Sequence, residues 1–120
     1  MYTISKRFCF SSSHKLDHLP EGHNCRHCHG HNYIAEVVLQ SEKLNEHAFV
    51  RDYHELAILK EYIDSRLDHS HLNDIFDFEP TAENIAKHLF DFCKKSWPET
   101  VAVRVSETSN TWATYSDRRY

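Results

Sequence analysis

One run, His29 to Gln40, restricts the fold more than any other part of the chain. Its odd positions read His29, His31, Tyr33, Ala35, Val37 and Leu39, and because side chains alternate on an extended strand, all six share one face. An apolar face headed by two imidazoles belongs at the rim of a core, where a pocket opens. The even positions, Asn32, Ile34, Glu36, Val38 and Gln40, are mixed, as expected where a sheet meets water or a partner. Gly30, between the imidazoles, leaves the opposite face open to close backbone approach.

Upstream, Phe8 and Phe10 share a face by the same alternation and His14 has their parity, so residues 2 to 16 read as a strand that also extends its apolar face with a histidine. Antiparallel pairing of the two strands brings His14 beside His29 and His31. Three imidazoles with no fixed fourth ligand resemble a catalytic zinc site, which keeps one position open for water or substrate. A polar loop, Asp17 to Cys28, joins the strands and ends in Cys25-Arg26-His27-Cys28.

Plainer readings stand beside this one. In a chain with 11 histidines, a His-x-His pair can arise by chance on a wet surface. Cys25-x-x-Cys28 has the spacing of a redox pair, but such a pair opens a helix within a βαβ pattern, and this one runs into a strand. A structural Cys/His zinc knuckle needs only the stretch from Cys25 to His31, and it leaves the acidic and histidine residues further along without a role.

With 120 residues, 40% of them hydrophobic, the chain is long enough for one domain with a genuine core, 1–120, and too short for two. A formal net charge of -4 without a basic run argues against a nucleic-acid partner and for a small ligand. The start lacks the apolar core of a signal peptide, and no apolar run approaches membrane-spanning length. The expectation is a cytoplasmic protein, with Cys9, Cys25, Cys28 and Cys93 reduced.

After a loop to about Arg51, Asp52-Tyr53-His54-Glu55 has the form of a capping box, and Leu56, Leu59, Ile63 and Leu67 recur at helical spacing. The helix exits into Asp68-His69-Ser70-His71-Leu72-Asn73-Asp74, dense in titratable groups; Asp68-His69 reads either as a helix-exit cap or as a proton relay. Thr81 caps a second helix after Pro80, with Ile85, Leu89 and Phe92 as its apolar stripe and Cys93 as core. Val101, Val103 and Val105 alternate in a third strand whose parity Glu107 continues, and Ser109-Asn110 turns into Thr111 to Ser116. Glu107 can serve the pocket or simply point into solvent. The order ββααββ predicts an α+β fold, an antiparallel sheet with both helices on one face. A partly apolar second face in so small a chain suggests association of subunits.

Over nearly its full length the sequence resembles the 6-pyruvoyl-tetrahydropterin synthase and 6-carboxytetrahydropterin synthase family. The resemblance rests on Phe10-Ser11-Ser12-Ser13-His14-Lys15-Leu16, on Cys25 followed after three residues by His29-Gly30-His31-Asn32-Tyr33, on Leu67-Asp68-His69 with Leu72-Asn73-Asp74, on Pro80-Thr81-Ala82-Glu83-Asn84 and on Val105-Ser106-Glu107-Thr108. It implies the tunnelling fold (T-fold): a four-stranded antiparallel sheet under two helices, trimers closing a barrel and pairs of trimers making a hexamer. It implies Zn2+ on His14, His29 and His31, Cys25 as thiolate base, Asp68 and His69 as the second acid/base, and Glu107 with Thr108 holding the pterin. The three-residue gap between Cys25 and His29 resembles the bacterial 6-carboxy-5,6,7,8-tetrahydropterin synthases of queuosine biosynthesis. These act on 7,8-dihydroneopterin triphosphate and release acetaldehyde and triphosphate. The alternatives are 6-pyruvoyl chemistry on the same substrate, or a non-catalytic zinc-binding or redox module. Lys15, Arg26 and His27 are the candidates for holding the triphosphate, and Cys28 has no counterpart role in the family.

Overall fold

The computed structural model describes residues 1–118. The alternating runs become two 13-residue strands, β1 (Tyr2–His14) and β2 (His29–Ser41), paired antiparallel along their whole length from Tyr2 opposite Ser41 to His14 opposite His29. That register puts Phe8, Phe10 and His14 on the same side as the odd residues of β2. Beyond Asp52 a single rod of helix changes pitch twice: a 3-10 turn (Tyr53–Leu56), α1 (Ala57–Tyr62), and a wider π turn (Ile63–Leu67). Leu56, Leu59, Ile63 and Leu67 are all buried, as their spacing predicts. Then come β3 (Ser70–His71), α2 (Leu72–Ile75), α3 (Ala82–Ser96), β4 (Thr100–Ser106) and β5 (Ala113–Ser116).

The sheet has five strands in the order β3-β1-β2-β4-β5, one more than the expected four. The extra strand is β3, which pairs parallel to β1 through Ser12 opposite Ser70 and Ser13 opposite His71. Two residues carry no hydrophobic period, so nothing in the local sequence announces a strand; the backbone pairs because β1 offers an open edge there. The expected capping box at Asp52 does not close. The Asp52 carboxylate caps the N–H of His54 at 2.9 Å, while Glu55 turns to Arg51 at 3.2 Å. At α3 the expectation holds, with Thr81 Oγ1 accepting from the Asn84 N–H at 3.2 Å.

Both helical segments lie on one face of the sheet. Ile85, Ala86, Leu89, Phe90 and Cys93 from α3 meet Tyr33, Val37, Val103 and Val105 in one buried cluster. Each such large apolar side chain contributes about 1.5–3 kcal/mol relative to exposure. Burial pushes the Cys93 thiol up to about 12, which leaves it an inert core residue. On the opposite face, Arg7, Glu36 and Arg104 occupy one row across three strands. Glu36 accepts from both guanidinium groups at 3.0 Å, and both lie near the Trp112 ring, their Cζ atoms 5.3 and 4.5 Å from its centroid. No helix among the described residues is long and apolar enough to cross a membrane.

One hydrogen bond ties the two helical segments together: Tyr62 Oη lies 2.6 Å from His88 Nε2. Burial raises the Tyr62 pKa, so the phenol keeps its proton and donates it to a neutral imidazole. His88 is correspondingly held below the ordinary histidine range, chiefly by burial, with the Asp91 and Asp77 carboxylates opposing and Lys95 reinforcing. A histidine depressed in the folded state binds more protons unfolded, so stability is lost as pH falls below about 6.5. The drop in Tm between pH 7.5 and 5.5 is expected to shrink in His88→Asn, and an unchanged drop in thermal scans counts against this assignment.

Candidate active site

The β1–β2 register brings His14, His29 and His31 together where the apolar face ends. Their ring centroids lie 4.6, 5.1 and 4.9 Å apart, and one ligand nitrogen from each falls within 4.8 Å of the others. His14 Nδ1 lies 2.8 Å from the Pro80 carbonyl oxygen and His29 Nδ1 2.6 Å from that of His27. A carbonyl only accepts, so each Nδ1 carries the proton and each Nε2 carries the lone pair. The two Nε2 atoms nevertheless stand 3.0 Å apart. Facing lone pairs repel, and a shared cation removes that repulsion. His31 Nε2 is buried without a hydrogen-bond partner, and burial, outweighing the pull of Glu107, lowers its pKa and keeps it neutral. The donor set and its tautomers therefore fit a metal ion bound through three imidazoles.

Glu107 follows the last residue of β4, and its Oε2 lies 3.7 Å from His31 Nε2. It lines a cavity of about 360 Å³ together with Cys25, His18, His23, Thr111 and the start of α3. Cys25 sits in a single 3-10 turn (Asn24–Arg26), its N–H donating to His23 Nδ1 at 3.1 Å. Its carbonyl accepts from the Leu16 N–H at 2.9 Å, which ties the loop back to the end of β1. Thr108 turns instead to Thr111, the two hydroxyls 2.9 Å apart, and lines neither this cavity nor the next.

Asp68 and His69 are placed by the π turn, which closes with the Asp68 N–H donating to the Ile63 carbonyl at 2.8 Å. Asp68 Oδ1 accepts from the Ser11 N–H at 2.8 Å, and the His69 N–H donates to the Ser11 carbonyl at 2.6 Å, so both are stitched to the edge of β1. His69 takes φ 57, a left-handed conformation that costs a non-glycine residue about 1–3 kcal/mol and collects at functional positions. Its Nε2 is 3.6 Å from Asp68 Oδ2. The pair does not share the Cys25 cavity. His69 lines a second one of about 500 Å³, bordered by His31 of the cluster and by Ser11, Ser13, Asn32 and His71; Ser11, Ser13 and Asn32 belong to the face of the sheet away from the imidazoles. Gly30 opens onto it; a Cβ there meets nothing closer than the Ser12 carbonyl at 3.6 Å. Cys28 turns to this same face, as alternation predicts, with its Sγ 3.9 Å from His71 Nδ1.

Of the basic residues considered for an anion, Arg26 donates to the Asp17 and Leu19 carbonyls at 3.2 and 2.8 Å, and Lys15 pairs with Asp17 at 3.3 Å. Both hold the loop together. A contributor that sequence reasoning did not single out is Asn73, whose amide receives the Lys15 N–H at 2.9 Å and donates to the Lys15 carbonyl at 2.8 Å. It substitutes for a strand partner just past His14 and fixes that histidine's backbone. The only signal for it is its place in Leu72-Asn73-Asp74.

A family model, 6-pyruvoyl tetrahydropterin synthase, matches residues 3–118. The chain belongs to this family. Within it, the chain is similar to the 6-carboxy-5,6,7,8-tetrahydropterin synthase of Aquifex aeolicus, 30% identical, covering 97% of this chain and 98% of that one. It is equally similar to the 6-pyruvoyl tetrahydrobiopterin synthase of Dictyostelium discoideum, 32% identical over 93% of each. In structure it matches the 6-pyruvoyl tetrahydropterin synthase of Caenorhabditis elegans with a TM-score of 0.85, at 25% identity, covering 98% and 96% of the two chains. The fold is therefore that of the pterin synthases, and the chain is an enzyme of their lyase type.

Proposed function

We propose that this pterin synthase is a zinc-dependent 6-carboxy-5,6,7,8-tetrahydropterin synthase of queuosine biosynthesis. It would act in the cytoplasm, converting 7,8-dihydroneopterin triphosphate to the 6-carboxy product, acetaldehyde and triphosphate. The observation that carries the reading is that Glu107, which lines one cavity with Cys25, stands 3.7 Å from His31 of the three-imidazole cluster. Bound to His14, His29 and His31, zinc would act as a Lewis acid toward the substrate's side-chain hydroxyls. Glu107, a fixed acceptor at the cavity wall, receives the N–H groups of the pterin ring and sets its position. Cys25, in the same cavity, removes a proton as thiolate. Asp68 orients His69 as a second acid/base. Because His69 opens onto a different cavity from Cys25, a subunit boundary is the natural place for the two to meet. The reading thus includes an oligomer of threefold symmetry, a hexamer built as a dimer of trimers.

The sister activity, 6-pyruvoyl formation, is kept as a second reading because the Dictyostelium relative is as similar as the 6-carboxy enzyme. The three-residue gap between Cys25 and His29 favours the 6-carboxy branch. Incubation with 7,8-dihydroneopterin triphosphate, followed by mass analysis, is expected to give acetaldehyde and a 6-carboxy pterin in equal amounts. A 6-pyruvoyl product without acetaldehyde would move the chain to the other branch.

A further inference from the structure

Past His14 the chain leaves the sheet, and the hydrogen bonds that a neighbouring strand would supply come from one side chain. The Asn73 amide accepts from the Lys15 N–H at 2.9 Å and donates to the Lys15 carbonyl at 2.8 Å, so both backbone groups of Lys15 are satisfied. The Lys15 N–H belongs to the peptide that starts at the His14 carbonyl. Holding it fixes ψ of His14, and with it the direction in which the imidazole leaves the strand.

Asn73 is also the last tie of a longer strap. From Leu67 to Asn73 the chain runs along the same end of β1. The Ser11 N–H donates to Asp68 Oδ1 and the Ser11 carbonyl accepts from the His69 N–H. The Ser12 hydroxyl donates to the Leu67 carbonyl, Ser12 and Ser13 pair with β3, and Ser13 Oγ lies 2.8 Å from His71 Nδ1. Within this strap His69 keeps its left-handed φ of 57, a conformation that persists only where the surroundings over-determine it. The ties on either side supply that constraint: Asp68 on Ser11 before it, β3 and Asn73 after it.

We propose that Asn73 is a positioning residue that couples the three-imidazole cluster to the Asp68–His69 pair, its one amide fixing the backbone of His14 and closing the strap that holds His69. The inference rests on the metal reading of the cluster and adds to it a link along β1. Because such coupling is reciprocal, an ion bound at His14 should also tighten the strap.

The test titrates Zn2+ into metal-free wild type, Asn73→Ala and Ile75→Ala, reading metal affinity by chelator competition, Tm, and hydrogen exchange at the His69 amide. Ile75 lies on the same short helix and packs against the core through its side chain, so Ile75→Ala should lower Tm and leave metal affinity near wild type. Asn73→Ala is expected to lower metal affinity by about 10-fold, the low end for loss of an outer partner of a ligand. It should also speed His69 amide exchange by about 5-fold, the shift that one net hydrogen bond makes in an opening equilibrium. Saturating Zn2+ should slow that exchange in wild type and leave it unchanged in Asn73→Ala. A merely structural residue would lower Tm and keep both the metal affinity and the zinc response. Asn73→Asp, which keeps the acceptor and loses the donor, replaces Asn73→Ala if that variant does not fold, with the same directions expected. Wild-type metal affinity in the Asn73 variant, or a wild-type His69 amide indifferent to Zn2+, overturns the proposal and leaves the metal reading intact. If wild type binds no Zn2+, the metal reading itself fails and the coupling falls with it.

Discussion

Cys25→Ala is expected to lose turnover by about 10²–10⁴-fold, the range for removal of a general acid–base group, while keeping its metal and its affinity for substrate. The thiol lines the cavity of Glu107 but is not among the clustered metal ligands, so its loss removes a proton acceptor and nothing that binds. Cys28→Ala is expected to stay active, because Sγ of Cys28 lies on the far face of the sheet beside His71. Metal content, substrate affinity and product formation measured side by side decide the matter. An inactive Cys28→Ala, or a Cys25→Ala protein that sheds its metal, would assign the chemistry to the wrong thiol and restore the zinc-knuckle reading. The same variant reports on subunit sharing. Cys25→Ala and His69→Ala, each inactive, are expected to recover part of the activity when refolded together, since a mixed oligomer rebuilds intact boundaries. Two variants that stay inactive in mixture place both groups in service of one chain.

The second large effect is at the metal. His29→Ala leaves two of three imidazoles, and since loss of an outer hydrogen-bond partner of a ligand already costs 10–100-fold in metal affinity, loss of the ligand itself is expected to cost more than about 100-fold. Elemental analysis should find about one zinc per chain in wild type and far less in the variant. Wild-type Tm should fall on chelation, by mass action on the folded state, and the variant's Tm should respond little. Full zinc retention in His29→Ala sinks the three-histidine site.

The parts of this molecule that could be read before the structure are those governed by local periodicity. Phe8, Phe10 and His14 on one strand and His29, His31 and Tyr33 on the next needed only alternation, and antiparallel pairing then made the cluster almost unavoidable. Leu56, Leu59, Ile63 and Leu67 needed only helical spacing. The π turn within that rod did not show, because a change of pitch leaves the hydrophobic spacing nearly intact. Nor did β3, which exists through the open edge of β1 rather than through anything in Ser70-His71. The Asp52 capping box failed because Arg51 offers Glu55 a stronger, charged partner. What the sequence could least convey was separation within one chain: Cys25 and His69 border different cavities, which alternation alone does not reveal. Glu79 and His18 illustrate the converse, distant in the chain and outside the motifs above, yet 3.3 Å apart.

Two of the three imidazoles owe their orientation to the carbonyl oxygens of Pro80 and His27, groups that every amino acid possesses. A side-chain scan at those positions would therefore report indifference, and a catalogue of invariant residues would pass over them, although a shift of either backbone would turn a ligand away from the ion. The vulnerability of the three-imidazole site is thus one of chain path. Insertions or deletions in the loops around residues 27 and 80 should be tolerated far less well than substitutions in them, the reverse of what surface loops ordinarily allow.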